Sequence, residues 1–592
     1  MRLEKLRNVM KSEGVDFYVI PTDDFHGSEY VGDYFKTRAW VSGFSGSAGT
    51  LVVGADFAGL WTDGRYFLQA AQELEGTGIE LMKMGEEGVP TIIGYLKENL
   101  KDGMTLGFDG RCVSAGFVED LQAAMGDVKI SISYEKDLAG EIWEDRPALS
   151  KKPAWFLADE ECGATCAEKI AVVREEMKKN GAESLLLTSL DDIAWLFNMR
   201  GDDIAYNPVV LSFCVITEEE VRLFIQKGTL SKEQESKFTA DGICLDDYLN
   251  VYEYVKGLNK QSIWLNDQKT SYALLENLPS DIQIIKGMTP VAYTKCIKNE
   301  KEQENMRIAH VKDGVAMTKF MYWLKTNVGK TEMTELSVEE KAREFRKAQE
   351  GFVEESFATI CGYGPHGAII HYSASEETSA KINPEGLLLV DSGGQYLEGT
   401  TDITRTFAMG EVSAEAKKHF TLVLRGNLNL GAVKFKEGCT GENLDMLARV
   451  PFWEEGLDYN HGTGHGIGFV LNVHEAPGRI MWKKREGYGE NEAFKEGMIV
   501  SNEPGYYQEG AYGIRLENLI LCKNVEKTEY GQFLNFETLT LVPFDLDAVD
   551  VTLLSCKEKQ LLNEYHSRVY EELLPYMTEE EGAWLKEATR AV

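Results

Sequence analysis

The sequence predicts an α/β (α+β) protein of three domains, and three observations carry that prediction. Up to about residue 290 strands alternate with helices, and one order of elements is run through twice. After Pro290 the texture changes to long charged helices, followed by residues 387–407, which read as two buried β-strands carrying two acids. The chain has 592 residues, more than one hydrophobic core usually supports. The expected boundaries are 1–150, 151–297 and 298–592, the last with a C-terminal helical extension.

In the first pass Met1 to Met10 has helical spacing, Gly14 breaks it, and Asp16 to Pro21 reads as a strand. Trp40 to Gly49 is a glycine-rich turn leading into strands at Thr50–Val53 and Gly59–Thr62, with Leu68 to Leu74 helical. This turn lacks the Lys-Ser/Thr of a phosphate loop. The second pass places a helix at Glu168–Lys179 and a strand at Ser184–Thr188 that ends in Asp191-Asp192. Strands follow at Val209–Ile216 and Val221–Ile225. Asp23-Asp24 and Asp191-Asp192 hold corresponding places, so two copies of one domain type are expected. The third domain should open with a helix over Lys298–Lys325 and another near Ser337–Gln349, capped by Thr334-Glu-Leu-Ser337. Strand-like Phe357–Cys361 and Gly367–His371 follow, then the acidic strands and helices near Ala414–Leu430 and Glu442–Val450. The charged tail from Cys556 to Ala591 should be helical, covering the domain or adding to a dimer contact.

With 62 basic and 96 acidic side chains the formal charge is −34, which argues against nucleic acid as a partner. No stretch approaches the roughly 18 uninterrupted apolar residues of a membrane span, and no signal peptide is evident. Ten scattered cysteines suit a reducing compartment, and Cys162 and Cys166 read as helical neighbours, so the cytoplasm is expected.

Asp391 and Asp402 lie in the buried pair of strands, and a desolvated carboxylate costs several kcal/mol unless it is paired or binds a cation. Arg405 can neutralise one acid but not the whole set. Six of the nine histidines fall between His366 and His474. His461-Gly-Thr-Gly-His465-Gly lets imidazole approach a ligand without steric cost. Met498–Glu503 ends an apolar strand in an acid before Pro-Gly, and Arg515-Leu-Glu517 puts another acid within a strand, on the same face as Arg515. Taken singly, these are a turn residue, a salt bridge and a structural histidine. Together Asp391, Asp402, His465, Glu503 and Glu517 give four carboxylates and one imidazole, a set that two divalent cations would balance. Mn²⁺, Co²⁺, Fe²⁺ or Zn²⁺ suits it, in that order, better than Mg²⁺ or Ca²⁺.

The order Asp, ten residues, Asp, His-Gly-x-Gly-His-Gly, Glu-Pro-Gly, Arg-x-Glu resembles the metallopeptidases of the pita-bread fold. Trp61–Gln69, Asp191–Asn198, Gly367–Tyr372, Asn472–Glu475 and Glu503–Tyr507 make the chain most similar to the long, three-domain cytosolic aminopeptidase P form, over essentially its whole length. The resemblance implies two creatinase-type α/β domains ahead of a pita-bread catalytic domain. It further implies two metal ions, with Asp402 and Glu517 bridging, Asp391 completing one site and His465 with Glu503 the other. The implied reaction is hydrolysis of the Xaa-Pro bond of peptides with proline second, by water activated between the metals, with Glu503 as general base. By the same resemblance His371 meets the carbonyl, His474 the oxyanion or leaving group and His461 the proline pocket. Arg515 orients carboxylates, Arg65 reaches a neighbouring active site, and a homodimer is expected. His366 stands where a smaller polar residue is common and reads as a solvent-facing turn. Two alternatives remain: prolidase, which shares the centre, and a non-catalytic relative of the fold. The second typically loses the ligands that are all present here.

Overall fold

The computed structural model describes residues 2–483 and 492–592. It divides into two compact units, Met1–Asp159 with Ala164–Val291, and Glu160–Gly163 with Ala292–Val592. No helix among the described residues is long and apolar enough to cross a membrane.

The first unit holds two six-stranded sheets. One is formed by β1 (Phe17–Pro21), β2 (Thr50–Gly54), β3 (Ala58–Thr62), β4 (Glu80–Lys83), β5 (Thr105–Phe108) and β6 (Ser131–Ser133). The other is formed by β7 (Ser184–Leu187), β8 (Ser212–Thr217), β9 (Val221–Ile225), β10 (Ile243–Asp247), β11 (Ser262–Leu265) and β12 (Gln283–Lys286). Their strand orders are β4-β3-β2-β1-β5-β6 and β10-β9-β8-β7-β11-β12. Both central strands pair antiparallel to one neighbour and parallel to the other, so the repeat expected from the sequence holds strand for strand. Local readings need correction. Trp40 to Ser42 closes a short helix, Thr37–Ser42, because Trp40 stacks on Trp143 at 5.2 Å and Gly43, at φ +80°, caps the end. Asp191 and Asp192 open the helix Leu190–Leu196, where the helix dipole favours acids, and do not close a strand. The strand expected from Val209 begins at Ser212.

The second unit opens with α1 (Glu300–Asn327), whose N-cap Asn299 forms a capping box with Glu302. Next comes α2 (Glu335–Lys347), capped by Thr334 as its sequence predicted. A small sheet joins β13 (Ile360–Tyr363), β14 (Leu387–Ser392) and β15 (Ile403–Ala408). β14 and β15 pair antiparallel as the acidic hairpin, but their connection carries two short strands, Gly394–Tyr396 and Gly399–Thr400, which join Phe352–Glu355 in a separate sheet. Gly367 to His371 is not a strand. Pro365 starts a 3₁₀ turn over Gly364–Ala368, and a Cβ on Gly367 would crowd the backbone of Gly513.

A six-stranded sheet follows, made of β16 (Lys434–Lys436), β17 (Gly464–Gly466), β18 (Glu475–Ile480), β19 (Ile499–Asn502), β21 (Asn518–Thr528) and β22 (Gly531–Thr538), in the order β16-β22-β21-β19-β17-β18. β20 (Tyr512–Arg515) pairs instead with Gly505–Gln508. Of the helices, α3 (Ala414–Gly431) is as expected, while the segment read as Glu442–Val450 splits at Asp445 into Gly441–Leu444 and α4 (Met446–Trp453). The tail forms α5 (Cys556–Leu573) and Glu579–Ala588, and it covers its own unit. Leu562 packs into the core with Phe420 and Phe544, and Arg425 pairs with Glu558 at 3.0 Å.

Candidate metal centre

Strand register brings the five predicted ligands to one place. On β14 and β15, Asp391 lies opposite Thr404 while Val390 lies opposite Arg405. Side chains alternate along a strand, so Asp391 and Thr404 share one face and Arg405 takes the other. Arg405 therefore faces away from Asp391, although its charge still acts on Glu517 from behind. Buried, it donates to the carbonyls of Glu517, Val542 and Pro543, to Asn518 and to the Tyr565 hydroxyl of α5. Asp402, two residues before Thr404, points to the shared face.

The last pair between β19 and β21 is Asn502 with Asn518, so Glu503 and Glu517 step together off the ends of adjacent strands. Glu517 falls in the break between β20 and β21 and not within a strand, as the sequence reading had it. Its Oε2 accepts from Thr404 Oγ1 at 2.9 Å, and Arg515 Nε donates to that Thr404 hydroxyl at 3.1 Å, so Thr404 links the two side chains. His465 sits in β17 between two glycines that serve strand packing rather than ligand access. A Cβ on Gly464 would strike the carbonyl of Ser501, and one on Gly466 that of Glu475.

Asp402, His465 and Glu517 place their ligand atoms within 4.8 Å of one another. His465 Nε2 lies 3.4 Å from both Asp402 Oδ2 and Glu503 Oε1, while Nδ1 faces the carbonyl of Gly466 at 3.1 Å. A backbone acceptor on Nδ1 leaves Nε2 as the donor atom for a cation. Asp391 Oδ1 and Glu517 Oε1 are buried and accept no hydrogen bond from the described residues. An uncompensated buried carboxylate oxygen is costly, and a cation relieves that cost. Burial, together with Asp402 and against the pull of Arg515, raises the Asp391 carboxyl to about 6. Burial also raises Glu503 and Glu517, the latter well above the carboxylate range. Burial alone would lower His465, but Asp402 and Glu503 outweigh it and bring the imidazole to about 9. The donor set fits hard or borderline divalent ions.

Of the predicted histidines, His474 and His461 connect to this centre. His474 is half-buried, its ring 4.2 Å from that of His465. His461 turns Nδ1 to the Gly462 carbonyl at 2.8 Å and Nε2 to the Tyr507 hydroxyl at 2.9 Å. Arg515 donates to Tyr507 at 2.8 Å and to Asp391 Oδ2 at 2.6 Å, so one hydrogen-bonded chain runs from Asp391 to His461. Tyr507 has no role in the sequence reading beyond its place in Glu503-Pro-Gly-Tyr-Tyr. Its partner Arg515, eight residues on across a tight strand pair, was the available signal. Buried Arg449 of α4 holds the loop bearing His461, donating at 2.7 Å to Asp458 and to the carbonyls of Tyr459 and His461. His371 lies half-buried just past the 3₁₀ turn. His366 does not face solvent as a bare turn. Its Nδ1 lies 2.9 Å from buried Glu335, and its ring stacks on Tyr372. Arg65 belongs to the first unit, where Asp63 grips its guanidinium at 2.7 and 2.8 Å.

Residues 304–524 match the metallopeptidase family M24 and 532–592 the C-terminal region of that peptidase family. Residues 2–138 and 145–302 each match a creatinase/prolidase N-terminal domain. The chain is 39% identical to Xaa-Pro aminopeptidase 1 of Dictyostelium discoideum, over 99% of its own length and 95% of that protein's. Its fold superposes on X-prolyl aminopeptidase from Caenorhabditis elegans, described as a cytosolic enzyme with a di-nuclear active site. The TM-score is 0.94 at 33% identity, covering 100% of this chain and 99% of that one. An Xaa-Pro dipeptidase from Bacillus anthracis is 26% identical with a TM-score of 0.52, and it covers 64% of this chain and 99% of its own. With creatinase-type domains ahead of a pita-bread domain, and the predicted acids and imidazole converged in the latter, the chain belongs to the Xaa-Pro aminopeptidases, metal-dependent hydrolases of peptidase family M24.

Proposed function

We propose that this chain removes the first residue from peptides with proline in second position, using two divalent ions held by Asp391, Asp402, His465, Glu503 and Glu517. The observation that carries the reading is the pair of buried carboxylate oxygens, Asp391 Oδ1 and Glu517 Oε1, aligned by strand register beside Asp402 and His465. In this assignment Asp402 and Glu517 would be shared by both ions, Asp391 would serve one, and His465 with Glu503 would serve the other. When bound, such ions supply Lewis acidity that activates water and polarises a carbonyl.

Glu503, held by Ser501 Oγ at 3.0 Å and raised by burial, takes and returns the proton. His371 contacts the scissile carbonyl and His474 the developing oxyanion or leaving nitrogen. Both nitrogens of His461 are engaged by the protein, so it borders the proline pocket with its ring. Arg515 fixes Asp391 through a charge-assisted bond. Mn²⁺ is the favoured ion, and the cytoplasm the favoured location. Domain boundaries near residues 150 and 297 complete the reading. A homodimer is supported by the apolar strip of Met446, Val450, Trp453 and Trp482, each more than a third exposed. Arg65 is assigned to the partner's active site.

Activity of the metal-stripped protein, restored by titrated Mn²⁺, is the direct test. Arg-Pro-Pro should be cleaved after arginine. Turnover confined to dipeptides would instead make the chain a dipeptidase.

A further inference from the structure

Residues 363–380 form a loop whose two ends meet at one side chain. Glu335, the first residue of α2, is wholly buried. Its Oε1 accepts from the backbone N–H of Tyr363 at 2.8 Å and from His366 Nδ1 at 2.9 Å. Its Oε2 accepts from the Tyr372 hydroxyl at 2.9 Å and from the N–H of Ala380 at 2.7 Å. The backbone N–H of Glu335 donates in turn to the Ala380 carbonyl at 3.1 Å. One carboxylate thus ties the neck of the loop and reaches into its middle. Tyr372 passes the hold onward, since its ring packs with Ile360 and Leu389, the latter two residues before Asp391 on β14. His371 lies next to Tyr372 in the same loop.

Four donors sharing one buried carboxylate form a unit, because removing the acceptor leaves all of them without their partner. The candidate metal ligands lie outside the loop, on strands or one residue beyond them, where register places them. The geometry points to Glu335 as a positioning residue for His371, fixing where its imidazole stands relative to Asp391 on β14. This rests on the role proposed above for His371. His366 adds a donor to the tie and stacks on Tyr372.

The test is a double-mutant cycle in kcat on Arg-Pro-Pro with Mn²⁺ present, pairing Glu335→Gln with His371→Ala, with bound metal counted for every variant. Glu335→Gln is expected to lower kcat by about 10- to 100-fold with KM changed less than about 3-fold and metal content unchanged, as misplacement of a catalytic group does. In the His371→Ala background the same change should cost less than about 2-fold. An equal loss in both backgrounds, a loss of metal, or no loss at all overturns the proposal. If His371→Ala leaves kcat intact, the assignment of His371 itself fails and this inference with it. If Glu335→Gln does not fold, Tyr372→Phe, which removes one donor, takes its place in the cycle under the same criteria.

Discussion

Asp391, Asp402, Glu503 and Glu517 stand on strands or one residue beyond them, and their mutual placement follows from the register of β14 with β15 and of β19 with β21. His371 and His461 stand on loops, where buried charged side chains do the holding: Glu335 for one and Arg449 for the other. A register can slip only by whole residues, and a slip of one turns every side chain to the opposite face. A loop held by one ion cluster can shift by fractions of an ångström when that cluster is altered. Damage to the first region should therefore remove metal, and damage to the second should slow turnover with metal retained.

The largest effects should come from Asp402→Asn or Glu517→Gln, which remove an acid from both ion sites and should cut kcat by about 10³-fold or more, with both ions lost. Asp391→Asn should spare one ion, as elemental analysis would show. Equal metal loss in Asp391→Asn and Asp402→Asn would break the bridging assignment. Next in size, Arg449→Met should lower kcat/KM by about 10- to 100-fold with both ions present. Loss of metal in that variant would erase the distinction between strand-held and loop-held residues. Tyr507→Phe, which cuts the chain between Arg515 and His461, should cost about 10-fold.

The smallest effect concerns stability alone. Burial raises the Asp391 carboxyl to about 6 in the folded chain, above the roughly 4 of an unfolded aspartate, so the folded state binds the proton more tightly. Without metal, that group stabilises the fold below pH 4 and loses its contribution as pH rises through 6. The gap in melting temperature between metal-loaded and stripped protein should therefore widen from pH 5 to 7. A gap independent of pH would contradict this.

The strand-held region was legible in the sequence, because acids inside apolar runs stand out and spacing fixes their face. The repeated order of elements likewise announced two matching sheets. What escaped was decided by contacts distant in sequence. Arg405 looked like a counter-ion until alternation put it across the strand from Asp391. His366 looked like a turn residue because Glu335, 31 positions earlier, cannot be seen from it. Gly464 and Gly466 looked permissive for a ligand and proved to be demanded by the carbonyls of neighbouring strands.

Arg405 also ties the ligand-bearing strand to the far end of the chain. It stands directly behind the ligand-bearing face of β15, and the Tyr565 hydroxyl that completes its surroundings comes from α5, 160 residues further along the chain. That hydroxyl also donates to the carbonyl of Val542 at 2.7 Å. During synthesis the acids emerge from the ribosome long before the residue that supplies this hydroxyl, so a nascent chain that stops short of residue 565 carries all five candidate ligands but lacks the α5 acceptor of Arg405 behind them.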